Sequence, residues 1–250
     1  MYKVFSDRKR SVTMLYETDS TNNDLKAMIR RSSGPVFAVI AAKRQNSGRG
    51  RLGRTFVSPE GGIYFSLSFP LTGKEKNIPF LTLLAGLAVS KATEELTGIK
   101  TQIKWPNDIY IGDRKLGGIL TELVSGKNLC AVVGIGINLH TREEDFPEEV
   151  SRIATSFIRE GFASPDEKEL VLRITEILEK SVYEDCELWD VSESTVREIK
   201  DRSYSLGKAV KYSLGEETIE GVVTDIKNNG VAEITLADGS RREIFCGEIT

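Results

Sequence analysis

Arg44, Arg49, Arg51 and Arg54 are interspersed with Gly48, Gly50 and Gly53. Residues of these types at this spacing could hold an anion. Glycines let backbone N–H groups approach a phosphate, and guanidinium forks bind phosphate bidentately. The same composition also suits a solvated surface loop or an RGG-like nucleic-acid contact, and the loop alone favours none of these. Gly48, Gly50 and Gly53 match the G-x-G-x-x-G dinucleotide fingerprint in letters only. That fingerprint needs a strand before it and a helix after it. Here the following stretch, RTFVSPEGGIYFSL, is extended and broken by Pro59. A protein-kinase reading fails as well, because no H-R-D or D-F-G motif follows.

A second group lies further along: Lys104, Trp105-Pro106-Asn107-Asp108, Lys115, Gly117-Gly118 and Gly134-x-Gly136-x-Asn138. Trp105 by itself reads as core packing. Strands carrying Lys, Asn, Asp and paired glycines at their ends are costly unless a ligand satisfies the polar groups. Glycines within strands also allow close approach of a substrate. Little else in the chain offers chemistry. A single histidine, His140, removes most histidine-based catalysis. Cys130, Cys186 and Cys246 have no paired spacing, which argues against a zinc cluster or a disulfide framework and suits a reducing, cytoplasmic compartment. Net charge is -3, against the basic excess usual for a nucleic-acid partner. The N-terminus MYKVFSDRKRSV lacks the apolar core of a signal peptide. The longest apolar stretch, Leu81 to Val89, is too short to span a bilayer, so no membrane association is expected.

The elements that must position these residues follow from periodicity and turn signals. Val12–Glu17 reads as a strand, and Ser20 or Thr21 caps a helix to about Arg31. Gly34-Pro35 ends that helix, and Val36–Ala42 and Ile63–Phe69 are strands on either side of the glycine-arginine loop. Pro79–Leu96 is helical and closed by Gly98. Thr101–Ile111 is extended with a turn at Pro106–Asp108. Gly112-Asp113 and Gly126-Lys127-Asn128 turn the chain into two more strands, KLGGILTELV and LCAVVGIGINL. Asp166 to about Asp201 is helical. After Gly207 come short strands with tight turns at Asn229-Gly230 and Asp238-Gly239. The expectation is an α+β fold: a mixed or antiparallel sheet with helices on one face, over residues 1–203. A small SH3-like barrel over 204–250 is too short to stand alone and should pack on the larger unit.

Ser20-Thr21-Asn22, the loop Gly48–Arg54, KWPNDIYI (Lys104–Ile111), DRKLGGILTE (Asp113–Glu122), GIGINL (Gly134–Leu139) and Ala154-Thr155-Ser156 occur in this order. In this the chain resembles the biotin protein ligases, from about residue 15 to the end, barrel included. KWPND followed by DRKLGGIL is specific; the glycine loop alone is not. The resemblance implies the class II synthetase-like ligase fold. It also implies two steps, with ATP and biotin as substrates and Mg2+ bridging the phosphates. Biotin's carboxylate attacks the α-phosphate to give biotinyl-5′-adenylate, and a lysine of a biotin carboxyl carrier protein domain then attacks that anhydride.

The same resemblance implies roles by position. Ser20, Thr21 and Asn22 would meet the ureido ring. Gln45, Arg49 and Gly50 would close over biotin, and Gly118 would leave room for its tail. Lys115 would stand between the biotin carboxylate and the α-phosphate, with Arg51 and Lys104 as further catalytic cations. Arg51 and Arg54 would grip the ATP phosphates or the adenylate, Asn107 and Asp108 would hold magnesium or phosphate, and Asn138 would face the nucleotide. Phe56 stands where family members often carry the Trp that covers adenine, and Phe157 where Leu is more usual. Only 19 residues precede Ser20, too few for the winged helix-turn-helix of some members. A catalytic-only ligase without DNA binding is therefore expected, with homodimerisation left open. The competing readings are a lipoate–protein ligase, which shares fold and chemistry, and a nucleic-acid-binding module. The KWPND segment and the loop are of the biotin type, and net acidity weighs against the second.

Overall fold

Alternating side chains build the centre of this protein. In a computed structural model, which describes residues 3–6, 11–71, 79–125, 127, 129–183, 191–215 and 217–249, eight strands form one sheet. They are β1 (Lys3–Ser6), β2 (Ser11–Thr18), β3 (Val39–Gln45), β4 (Gly62–Pro70), β5 (Gln102–Lys104), β6 (Asp108–Ile111), β7 (Arg114–Val124) and β8 (Cys130–Asn138). Their order is β1-β2-β3-β4-β8-β7-β6-β5; β2 and β3 run parallel and every other pair antiparallel. The sheet is mixed, as expected from the hairpin-linked strands.

Ile63, Phe65, Leu67 and Phe69 of β4, with Ala131, Val133, Ile135 and Ile137 of β8, face the main core. There they meet α2 (Phe80–Thr97) and α4 (Glu167–Tyr183). Helix α2 is buried on nearly every side, as an almost uniformly apolar helix must be. It ends at Gly98, whose φ of 74° is the left-handed conformation glycine adopts without strain. A short α3 (Glu148–Ser151) and α5 (Glu193–Asp201) complete the helices, and α5 also packs on α2. The residues between them point to the opposite face, which carries Tyr64, Ser66, Gly134 and Gly136. Helix α1 (Thr21–Arg31) covers part of that face, burying Leu25 and Ile29 against Ile40, Cys130 and Val132. The expectation of helices on one face thus holds for α2, α4 and α5, while α1 lies across the other.

Two strand assignments shift. Residues 36–38 precede β3 rather than belonging to it, because the side chain of Ser68 replaces a strand partner there. Its hydroxyl donates to Val36 O at 2.8 Å and accepts from Ala38 N–H at 3.0 Å. β1 has no counterpart among the expected strands. The helical pattern from Asp166 to Asp201 resolves into α4 and α5, with residues 184–190, Cys186 among them, outside the described residues. Gly126 and Asn128 of the expected turn also lie outside them.

The last five strands are β9 (Ala209–Leu214), β10 (Glu217–Ile226), β11 (Ala232–Thr235), β12 (Arg241–Ile244) and β13 (Glu248–Ile249). They form a separate antiparallel sheet ordered β12-β11-β10-β9-β13, compatible with the expected SH3-like fold; β13 is an addition to the strands expected. Its inner residues Tyr212, Val223, Ile234 and Ile249 join the same core as α2. Trp105 fastens the joint: it is buried, and its indole N–H donates to Gly230 O at 2.9 Å. The core reading of Trp105 therefore holds, with a further role in seating the small sheet.

Candidate active site

The face that α1 leaves open forms a cleft of ≈ 300 Å³. One end is the first turn of α1. Thr21 donates from its backbone N–H (2.9 Å) and its hydroxyl (3.2 Å) to Gln45 Oε1. The Gln45 amide donates to Ser58 Oγ at 3.0 Å. Ser66 Oγ lies 2.7 Å from Thr21 Oγ1 and 2.5 Å from Asn22 Oδ1. Asn22 in turn sits directly over Gly134, where a Cβ would come within 2.2 Å of Asn22 Oδ1. Only glycine lets α1 approach the sheet so closely.

The floor beside it is built from Gly118 and Gly136, paired across β7 and β8. Phe56 fills the space their missing side chains leave. A Cβ on Gly136 would stand 2.5 Å from its ring, and one on Gly118 would stand 3.1 Å away. The ring meets Tyr64 edge-on at 6.3 Å between centroids. Phe56 is held by its own loop, its backbone N–H donating to Gly48 O at 2.9 Å.

Lys115 reaches this floor through a bulge. β6 pairs Ile109 with Gly117 and Tyr110 with Lys115, so Leu116 is the extra residue on β7. Without the bulge, Lys115 and Gly118, three residues apart, would point to opposite faces. With it, Leu116 is buried in the core and Lys115 Nζ turns into the cleft, 2.7 Å from Asp108 Oδ1 and 5.9 Å from the Phe56 ring. Lys104 Nζ lies 3.3 Å from the Tyr110 hydroxyl. Burial lowers its pKa, an effect the Asp108 carboxylate partly offsets. Burial also pushes the Tyr110 phenol up to about 12, so that it stays protonated.

The glycine-arginine loop closes the cleft from the other side and is tied in two directions. Arg51 donates to Asn107 Oδ1 at 3.0 Å and to Gly247 O at 3.1 Å, joining loop, turn and C-terminal sheet. Burial lowers the pKa of its guanidinium, and Asp108 is the strongest charge opposing that. Arg54 pairs with Glu248 of β13 at 2.6 Å. Leu52 carries this bend with φ 55°, unusual for a residue with a side chain, and Gly53 follows at 76°.

Ser20, Thr21, Asn22, Gln45, Arg49, Gly50, Arg51, Arg54, Phe56, Lys104, Asn107, Asp108, Lys115 and Gly118 all line this cleft. Asn138 is not brought to its wall: it is buried, and its amide donates to Thr155 O at 2.9 Å behind the ladder joining Lys115 and Ala154. The sequence reading passed over Tyr110, Glu122, Lys26 and Glu248. Alternation along β7 could have flagged Glu122, which shares the face of Gly118; nothing local marks Glu248. Asn107 Oδ1 is occupied by Arg51 and the Asp108 carboxylate by Lys115. Among the described residues no group of three or more His, Cys, Asp or Glu is placed to hold a metal ion. The donors present therefore do not fit a cation held by the protein alone.

Residues 14–138 match the model of the biotin/lipoate A/B protein ligase family. Among similar proteins, the bifunctional ligase/repressor BirA of Bacillus subtilis is 36% identical over 170 residues, covering 67% of this chain and 51% of that protein. The chain thus spans about half the length of that relative. The biotin–[acetyl-CoA-carboxylase] ligase of Mycobacterium tuberculosis is 30% identical over 232 residues, covering 88% of this chain and 82% of that one. Among solved structures, the biotin protein ligase of Aquifex aeolicus in complex with biotin and ATP superposes with a TM-score of 0.78 at 36% identity, covering 97% of this chain and 98% of that one.

Proposed function

Since the chain belongs to the biotin/lipoate A/B protein ligase family, we propose that it is an ATP-dependent biotin–protein ligase. Residues 1–203 would form the catalytic unit and 204–250 the barrel that closes it. The observation that carries this reading is the composition of the cleft. Five basic residues, Arg49, Arg51, Arg54, Lys104 and Lys115, line it against two acidic ones, Asp108 and Glu248, and the same cleft runs to the polar foot of α1. A polyphosphate and a neutral, hydrogen-bonding ring would thus be held end to end.

In the first step a biotin carboxylate oxygen attacks the α-phosphorus of ATP, the bond to the bridging oxygen breaks, and pyrophosphate leaves. Two anions must meet, so the barrier is largely electrostatic. Lys115 lowers it by neutralising the carboxylate and the α-phosphate together, in a site where burial strengthens the interaction. Asp108 holds the ammonium in the cleft until substrate competes for it. Arg51 and Arg54 neutralise the phosphates, and Phe56 offers a flat apolar face for the adenine. Magnesium would accompany the ATP phosphates as part of that substrate and offset their charge. In the second step a carrier lysine amine attacks the acyl carbon, AMP departs, and the amine loses a proton. No covalent enzyme intermediate is required, so the absence of a nucleophile–base pair from the sequence motifs is no obstacle.

The acceptor is proposed to be a biotin carboxyl carrier domain of a carboxylase, in a cytoplasmic setting, without sequence-specific DNA binding. No helix among the described residues is long and apolar enough to cross a membrane. The test is pyrophosphate release. It should require ATP and biotin together, and lipoate should replace biotin poorly. Equal or faster release with lipoate would identify a lipoate ligase instead.

A further inference from the structure

Behind the foot of α1 lies an ion pair with no part in the chemistry above. Lys26, almost fully buried, places Nζ 2.7 Å from Glu122 Oε1. The other carboxylate oxygen, Oε2, accepts from Asn22 Nδ2 at 2.8 Å. Hydrogen bonds from Lys26 and Asn22 hold the Glu122 carboxyl below its ordinary pKa although burial opposes this, so it stays ionised. We infer that Glu122, anchored by Lys26, is a positioning residue that fixes which end of the Asn22 amide faces the cleft, and so sets the site's preference for a ligand with N–H donors.

An asparagine amide can point either way, and its neighbours decide. Ser66 cannot decide, because its hydroxyl can donate to an oxygen or accept from an NH2 group equally well. The Leu120 carbonyl is 3.4 Å from Asn22 Nδ2, too far to dominate. The Glu122 carboxylate, ionised, close and able only to accept, demands the NH2 group on its side. Asn22 Oδ1 is then turned towards Ser66 and Gly134, both on the cleft side of the sheet. Together with Thr21 Oγ1 and Gln45 Oε1 it makes this end of the cleft rich in acceptors. A cyclic urea, whose ring nitrogens donate, satisfies that set. A ring without N–H groups offers no donor to the remaining lone pairs of these acceptors, which biases the site against it.

The inference rests on the ligase reading, and the experiment separates the two. Biotin binding to the whole chain is measured by calorimetry, and steady-state pyrophosphate release is measured in parallel, for wild type, Glu122→Gln, Lys26→Met, Asn22→Ala and the Asn22→Ala/Glu122→Gln double variant. Glu122→Gln can present NH2 to Asn22 and removes the demand. It should weaken biotin roughly ten- to a hundred-fold, the worth of a hydrogen bond at a buried charged site. The loss should fall on KM for biotin, with KM for ATP within about two-fold of wild type and selectivity against lipoate reduced. Lys26→Met, which frees Glu122 to swing out, should act in the same direction and decides the matter if Glu122→Gln does not fold. In the Asn22→Ala background, Glu122→Gln should have little further effect, because a purely structural role would simply add. Unchanged biotin affinity in a folded Glu122→Gln or Lys26→Met, or additive losses in the double variant, would overturn the inference while leaving the ligase reading intact. Wild-type protein that neither binds biotin nor releases pyrophosphate with it would overturn both.

Discussion

Lys115 and Arg51 carry most of the proposed chemistry, and they were legible for different reasons. Lys115 was found through the DRKLGG motif, but its orientation was not readable, because the bulge at Leu116 depends on how β6 pairs with β7. Replacing Lys115 by Gln removes a charge needed most when carboxylate and phosphate meet. We expect adenylation to fall by about a hundred-fold or more while the fold survives, since oxyanion-type contacts are worth at least that much. Rapid-quench measurement of biotinyl-adenylate, beside a thermal melt, checks it; an unchanged rate in folded protein would assign Lys115 to a structural pair with Asp108. Arg51 ties the glycine loop to Asn107 and Gly247. Arg51→Gly should still form the adenylate, more slowly for want of a charge on the phosphates, and release it roughly ten-fold faster, the worth of about one charged hydrogen bond. The off-rate of labelled adenylate reads this out, alongside hydrogen exchange of residues 44–55. Equal off-rates with a loop already protected in the free protein would make it a fixed element.

At the scale of elements, the strands and helices that follow strong periodicity were visible: β4, α2, β7, β8 and the hairpins of the small sheet. The misplaced start of β3 came from reading an apolar run as a strand where Ser68's side chain takes over the backbone bonds. Which face each helix occupies was not legible either, because it depends on side chains far apart in the chain. The glycines of β8 looked like room for a ligand, and Gly136 serves Phe56 in that way. Gly134 instead makes room for Asn22 of α1. Gly134→Ala should therefore push Asn22 aside and weaken biotin about ten-fold or more, with a stability loss of ~1–3 kcal/mol from overpacking. Calorimetry and a melt decide; unchanged biotin affinity would separate the foot of α1 from the binding site.

The whole molecule is closed by contacts that no local pattern announces. Arg54–Glu248 and Arg51–Gly247 join residues nearly two hundred positions apart, so the small sheet is part of the cleft rather than an appendage. Releasing one of these, as in Glu248→Ala, should raise KM for ATP several-fold and shift the melting temperature little, since a half-exposed ion pair contributes ~1 kcal/mol at most. Steady-state kinetics with varied ATP would show it, and an unaltered KM would confine the barrel to a structural role. The net charge of -3 leads us to expect no tight DNA binding at physiological salt, with or without biotin, in a gel-shift assay.

The claim on which all of this depends is that the cleft activates biotin and delivers it to another protein. Intact-mass analysis of a purified biotin carrier domain, incubated with this protein, ATP, magnesium and either biotin or lipoate, tests it directly. The account predicts a single biotinyl group on one carrier lysine, absent without ATP, absent with Lys115→Gln, and not matched by lipoyl transfer. A carrier that stays unmodified while the protein is folded, or one that accepts lipoate as readily as biotin, would contradict it.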